Sequence, residues 1–124
     1  MNLTATRIMA FVPSQGRYRE SIEFYKEIGF EAEFTNDSMT VFRHGECRFF
    51  LQNYNWPGAE GNYMMAMRVE DLDAWWDHLD SLDLPTKYPG VKLRAPEDYP
   101  WGMREIHLID PVGVLWHIAV PIAE

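Results

Sequence analysis

The chain has 124 residues, close to the size of one domain, and its 47% hydrophobic and 24% charged residues make an ordinary globular mixture, not a disordered one. Nineteen acidic against eleven basic side chains give a net charge of −8, which argues against a duplex-DNA binder and favours attraction of cationic ligands. Aromatics stand out at 15%, more ring surface than so small a core needs.

In chain order, the apolar run Arg7–Val12 ends at Pro13 and reads as a strand. Ser14-Gln15-Gly16 turns into a helix with Tyr18, Ile22, Tyr25 and Ile28 on one face and Gly29 as its stop. Phe30–Phe34 and Met39–Arg43 read as extended around a turn at Thr35–Ser38, and His44-Gly45-Glu46 turns the chain into a strand at Cys47–Tyr54. After a loop at Asn55–Gly61 the order starts again. Tyr63–Val69 is a strand, and Asp71 caps a helix whose Leu72, Trp75, Trp76, Leu79 and Leu82 share a face closed by Pro85. Lys87–Pro100 reads as loop with one short extended piece at Val91–Arg94. Met103–Ile109 is a strand, Asp110-Pro111-Val112-Gly113 a turn, and Val114–Val120 the last strand.

The two halves repeat one plan, the second with about eleven extra residues near Lys87–Trp101. The expectation is a single α+β domain over residues 1–124, built from two βαβββ modules at about 5–55 and 62–121. They form a cupped mixed sheet with helices on the outer face and a ligand trough on the other. Cys47 is the lone cysteine, so no intrachain disulfide forms, and a small buried apolar role is expected of it. Met1–Thr6 lacks a basic stretch followed by an apolar run, and no window approaches a membrane span. A cytoplasmic protein without membrane partners is expected.

Phe11-Val12-Pro13-Ser14 followed by Ser21–Phe30 resembles the opening of the glyoxalase, bleomycin-resistance and ring-cleaving dioxygenase superfamily (vicinal oxygen chelate fold). Trp101–Glu105 with Asp110-Pro111-Val112-Gly113 resembles its closing motif, usually Asp-Pro-Asp-Gly. Phe42–Glu46 and Leu93–Glu97 followed by Trp101-Gly102 resemble segments of bleomycin-resistance proteins in particular. The resemblance implies paired βαβββ modules, in agreement with the repeat. It also implies a ligand trough whose metal-binding relatives hold a divalent ion through His or Glu on four strands. Those places fall here at Arg7, Leu51, Met64 and His117. An Arg cannot shed its charge, Leu has no donor atom, and a thioether is a poor ligand for hard ions, so no metal cofactor is expected there.

A second constellation comes from alternation. If Ile106 and Leu108 face the helices, Glu105 and His107 point to the other face, and His117 on the next strand brings two imidazoles to one carboxylate. Such a set suits iron or acid–base chemistry, and equally a wall of side chains bonded to one another. His44 and His78 read as solvated. No Gly-x-Ser-x-Gly elbow and no phosphate-cradling glycine loop occur.

Trp56 and Trp101 sit in loops beside prolines, where packing explains a ring poorly. The resemblance implies a flat heteroaromatic ligand held between aromatic side chains, with Trp101 at the family's Trp-Gly position and Phe34 as the opposite wall. Glu60, Glu97, Asp98 and Glu105 lie in or near the same loops and suit a cationic tail. The expectation is a cofactor-free homodimer that sequesters a flat, cationic, bleomycin-like antibiotic. Its candidate ligand residues are Trp101, Phe34, Trp56, Arg7, Leu51, Met64, Glu105, His107 and His117. The alternatives are a metal-dependent or acid–base lyase, dioxygenase or isomerase, and a binder of an endogenous metabolite.

Overall fold

Two copies of one strand–helix–three-strand unit make up the computed structural model, which describes residues 1–59 and 61–122. The first unit holds β1 (Phe11–Pro13), α1 (Tyr18–Ile28), β2 (Glu31–Thr35), β3 (Met39–His44) and β4 (Cys47–Gln52). The second holds β5 (Met64–Arg68), α2 (Leu72–Ser81), a short α3 (Leu84–Lys87), β6 (Lys92–Tyr99), β7 (Met103–Ile109) and β8 (Leu115–Pro121). In each unit the first strand pairs parallel with the last and the remaining pairs are antiparallel. The strand orders are β1-β4-β3-β2 and β5-β8-β7-β6, two four-stranded mixed sheets of an α+β fold.

The helices follow their apolar period. On α1, Tyr25 and Ile28 are buried with Phe24 and Ser21, while Tyr18 and Ile22 pack at the margin. Gly29 ends that helix at φ +122°, a conformation open to glycine at little cost. Asp71 caps α2 by accepting from the Ala74 N–H at 3.0 Å, and Leu72 and Leu79 are its buried residues.

Four readings are corrected. β1 begins only at Phe11. Ile8 is 97% exposed, and an apolar run with no surface facing it does not become a strand. Pro85 does not close α2. It sits in the first turn of α3, where its missing N–H costs nothing. The segment read mostly as loop is the eight-residue edge strand β6, with Pro96 absorbed by a bulge between Arg94 and Glu97. Cys47 is exposed, not buried.

One core runs through both units. Trp116 of β8 packs against Phe30 and Phe49 at ring distances of 5.8 and 5.2 Å. Fully buried Tyr25 donates its hydroxyl hydrogen to Asp110 Oδ2 at 2.6 Å and accepts from Trp116 Nε1 at 2.9 Å. Asp110 Oδ1 meanwhile accepts from the N–H groups of Val112 and Val114, each at 2.9 Å, closing the β7–β8 turn. Burial raises the Asp110 carboxyl above its ordinary 3.8 despite these bonds, and with the nearby Asp110 charge it raises Tyr25 well above 10.0. The Asp-Pro-Val-Gly motif is thus a buried anchor between the units. Among the described residues, no helix is long and apolar enough to cross a membrane.

Candidate functional site

On β7 and β8 the side chains alternate, with Ile106, Leu108, Trp116 and Ile118 turned into the core. Glu105, His107 and His117 therefore share the opposite, open face. His107 and His117 are direct cross-strand partners, and Glu105 lies two residues before His107 on the same side. The three side chains meet. Glu105 Oε1 is 2.9 Å from His107 Nε2 and 2.8 Å from His117 Nδ1, and Oε2 accepts from Trp101 Nε1 at 2.9 Å.

The Glu105 side chain is only 5% exposed, against 17% and 20% for the two imidazoles. Burial pushes its carboxyl up, but bonds from Trp101, His117 and His107 outweigh that, and the net shift is below 4.5. An ionised carboxylate only accepts hydrogen bonds, so each imidazole carries a proton on the nitrogen facing it. Among the described residues, Glu105 has the two imidazoles as its ion-pair partners and no Lys or Arg.

Trp101 owes its place to a three-residue hairpin loop, Pro100-Trp101-Gly102, in which the Gly102 N–H donates to Tyr99 O at 3.1 Å and Gly102 takes φ +86°. Tyr99 stacks on Trp101 at 4.8 Å and on His107 at 4.7 Å, both within 17° of parallel. His107 then meets His117 edge-on at 4.7 Å. A row of four rings results, ending in a Trp101 that is 58% exposed. Tyr99 falls outside the expected set because its segment, with Pro96 and Pro100, reads as loop. Its position directly before Pro-Trp-Gly, a hairpin signature, was the available signal.

The other candidates divide. Met64 joins the site, its Sδ 3.4 Å from His117 Nε2. Phe34 lies on β2 with its ring 51% exposed. Trp56 stands in the connection between units, edge-on to Tyr63 at 5.8 Å. Arg7 precedes β1 and is exposed. Leu51 leaves the expected set. It is fully buried in the core, and its neighbour Phe50 takes the open face instead, stacked on Phe11 at 4.4 Å. The four positions Arg7, Leu51, Met64 and His117 therefore do not fit the superfamily's metal, since one has no donor and points inward and another carries a permanent charge.

Of the acids, Asp98 pairs with Arg104 at 2.9 Å, Glu97 accepts from the Tyr99 hydroxyl at 3.2 Å, and Glu60 lies outside the described residues. His44 and His78 are exposed, yet each has a ring nitrogen at a main-chain carbonyl, Gly29 O at 3.2 Å and Ile28 O at 3.0 Å.

Comparison with known proteins supplies a family. The model of the Glyoxalase/Bleomycin resistance protein/Dioxygenase superfamily matches residues 8–118. No curated protein sequence matches the chain significantly. Among solved structures, a bleomycin-binding protein complexed with bleomycin is similar at TM-score 0.78 and 21% identity, over 93% of this chain and 98% of that one. A bleomycin resistance determinant encoded on the transposon Tn5 gives 0.79 and 20%, over 96% and 100%. A lactoylglutathione lyase from Agrobacterium tumefaciens gives 0.69 and 16%, over 94% of each chain. At these identities the likeness speaks for the fold alone.

Proposed function

Because the chain belongs to the glyoxalase/bleomycin resistance protein/dioxygenase superfamily, we propose that it binds a flat, cationic small molecule on the open face of the second sheet and holds it without chemical change. The observation that carries this reading is the ring row Trp101–Tyr99–His107, ending on an indole that stays exposed although its N–H is fixed to a buried carboxylate. A preset ring of this kind stacks on a flat ligand without first losing rotamer freedom. The net charge of −8 favours a cationic ligand, and the bleomycin-binding neighbours support a bleomycin-like drug. Stoichiometric holding lowers the free drug concentration in the cytoplasm, which needs no catalytic step.

In this reading a second copy covers the face. Phe11, Phe34 and Met64 are exposed apolar groups on the two sheets, 46%, 51% and 62% accessible, and a homodimer gives them a partner. Phe34 of the second copy forms the opposite wall, with Trp56 and Arg7 at the rim.

Titration with metal-free and copper-loaded bleomycin, followed by tryptophan fluorescence, tests the proposal. Trp101→Ala is expected to cost on the order of 2 kcal/mol, roughly a 30-fold weaker Kd. Wild-type affinity in that variant refutes the stacking wall. The carboxylate-held histidine pair favours one further reading, an acid–base lyase or isomerase, which predicts that the bound compound is converted to product.

A further inference from the structure

We propose that Glu105, His107 and His117 form a site for one divalent transition ion of borderline softness, of which zinc is the type, seated on β7 and β8. Only His117 coincides with the four places that the superfamily's metal enzymes use. This inference stands apart from the drug-binding reading and does not depend on it.

The donor set comes first. Two imidazole nitrogens and one carboxylate oxygen lie within 4.8 Å of one another. Ligand atoms bound to one ion at about 2.0–2.2 Å sit roughly 3 Å apart, which is nearly the spacing of Oε1 to the two nitrogens, 2.9 and 2.8 Å. An ion enters by replacing two N–H···O contacts with small ring movements. Two His and one carboxylate leave further coordination positions open, and both imidazoles are part-exposed.

Charge comes second. The Glu105 carboxyl group is nearly inaccessible, and the described residues bring no Lys or Arg to it. A buried charge needs a compensating one. The imidazoles give it hydrogen bonds, and a divalent ion in their midst supplies both compensation and a bond.

The surroundings come third. Metal-bound His and carboxylate groups are held from behind by outer partners, and those partners are present before any ion. Trp101 Nε1 holds the second carboxylate oxygen. When an ion takes the inward nitrogens, each imidazole must carry its proton on the other nitrogen. There His107 Nδ1 finds the Tyr99 hydroxyl at 3.4 Å, and His117 Nε2 finds Met64 Sδ at 3.4 Å, a weak acceptor. Tyr99, stacked at 4.7 Å, also keeps the His107 ring from swinging away.

The experiment uses chelator-stripped full-length protein titrated with Zn²⁺ against a chromophoric competitor, and separately with Co²⁺ read by visible absorption. One ion per chain is expected, with cobalt bands of a four- or five-coordinate site. Glu105→Gln and His117→Ala should each weaken binding on the order of 100-fold, and Trp101→Phe, which removes only the outer donor, about tenfold. The double variant His44→Ala/His78→Ala should bind as wild type. No saturable binding, an octahedral aqua-type cobalt spectrum, or undiminished affinity in Glu105→Gln overturns the proposal. If those variants fail to fold by circular dichroism, the Co²⁺-shifted proton resonances of wild type decide. Shifted His107 and His117 ring protons support the site, and their absence overturns it. The drug titration fails or succeeds separately, so the two readings are told apart.

Discussion

Removing one oxygen atom from Tyr25 tests how the two units are joined. Tyr25→Phe keeps the ring, which is fully buried among Phe24, Phe30, Phe42, Phe49 and Trp116, and deletes only the hydroxyl. Asp110 Oδ2 then loses its 2.6 Å donor and Trp116 Nε1 its 2.9 Å acceptor. Each stranded buried group costs about 1–3 kcal/mol, so we expect a loss of about 3–4 kcal/mol, or about 10–15 °C in Tm for a domain of this size. The loss should also depend on pH. Burial holds the folded Asp110 carboxyl above its unfolded value near 3.8, so its contribution to stability is fully present below 3.8 and fades as pH rises through the folded value. The Tyr25 bond pulls that value down, so its removal raises the folded value further and extends the window of loss upward. Urea unfolding of both proteins at pH 7 and at about pH 4 measures this, with the larger difference expected at pH 7. A difference below about 1 kcal/mol, or an equal one at both pH values, refutes the reasoning.

Two other consequences are simpler to read. Gly90 has φ +92°, and a Cβ there meets Pro111 O at 3.2 Å, so Gly90→Ala should cost about 2–3 kcal/mol by urea unfolding. Gly45→Ala, at φ +58° in open space, should cost only about 1 kcal/mol, and equal losses at both sites would show that the Pro111 contact is immaterial. Cys47 is exposed, so a thiol reagent should label it fully in the native protein without denaturant. A reaction that waits for urea would place it inside.

The sequence carries the fold wherever period and burial agree. Leu72 and Leu79 recur at helical spacing and are the buried residues of α2, and the Ile106–Leu108 alternation turns Glu105 and His107 outward. It misleads where a residue's usual effect is absorbed by context. Pro96 argues against a strand, yet an edge strand with a bulge accommodates it, so β6 and with it Tyr99 were hidden. The eleven extra residues are legible in number but not in use, eight falling in the connection that holds α3 and three in a longer β6. Leu51 fails because a register carried over from relatives can be one residue out, and one residue flips the face. The Trp116–Tyr25–Asp110 chain was not legible because no local pattern couples a helix residue to a turn 85 positions away.

That chain nevertheless decides where the candidate site stands. The pairing of His107 with His117 holds only while Ile109 stays opposite Leu115, and a slip of one residue between the strands puts the two imidazoles on opposite faces of the sheet. The turn fixes that register. Asp110 N–H donates to Val114 O at 2.9 Å, and the Asp110 carboxylate takes the Val112 and Val114 N–H groups, so no residue can be gained or lost between the strands without breaking three bonds. Tyr25 and Arg17, which donates to Pro111 O at 2.6 Å, then clamp the turn to the first unit. Burying a carboxylate at Asp110 is unfavourable taken alone, as its raised pKa records. Its use is to hold the hairpin in one register, and in that register Glu105, His107 and His117 converge.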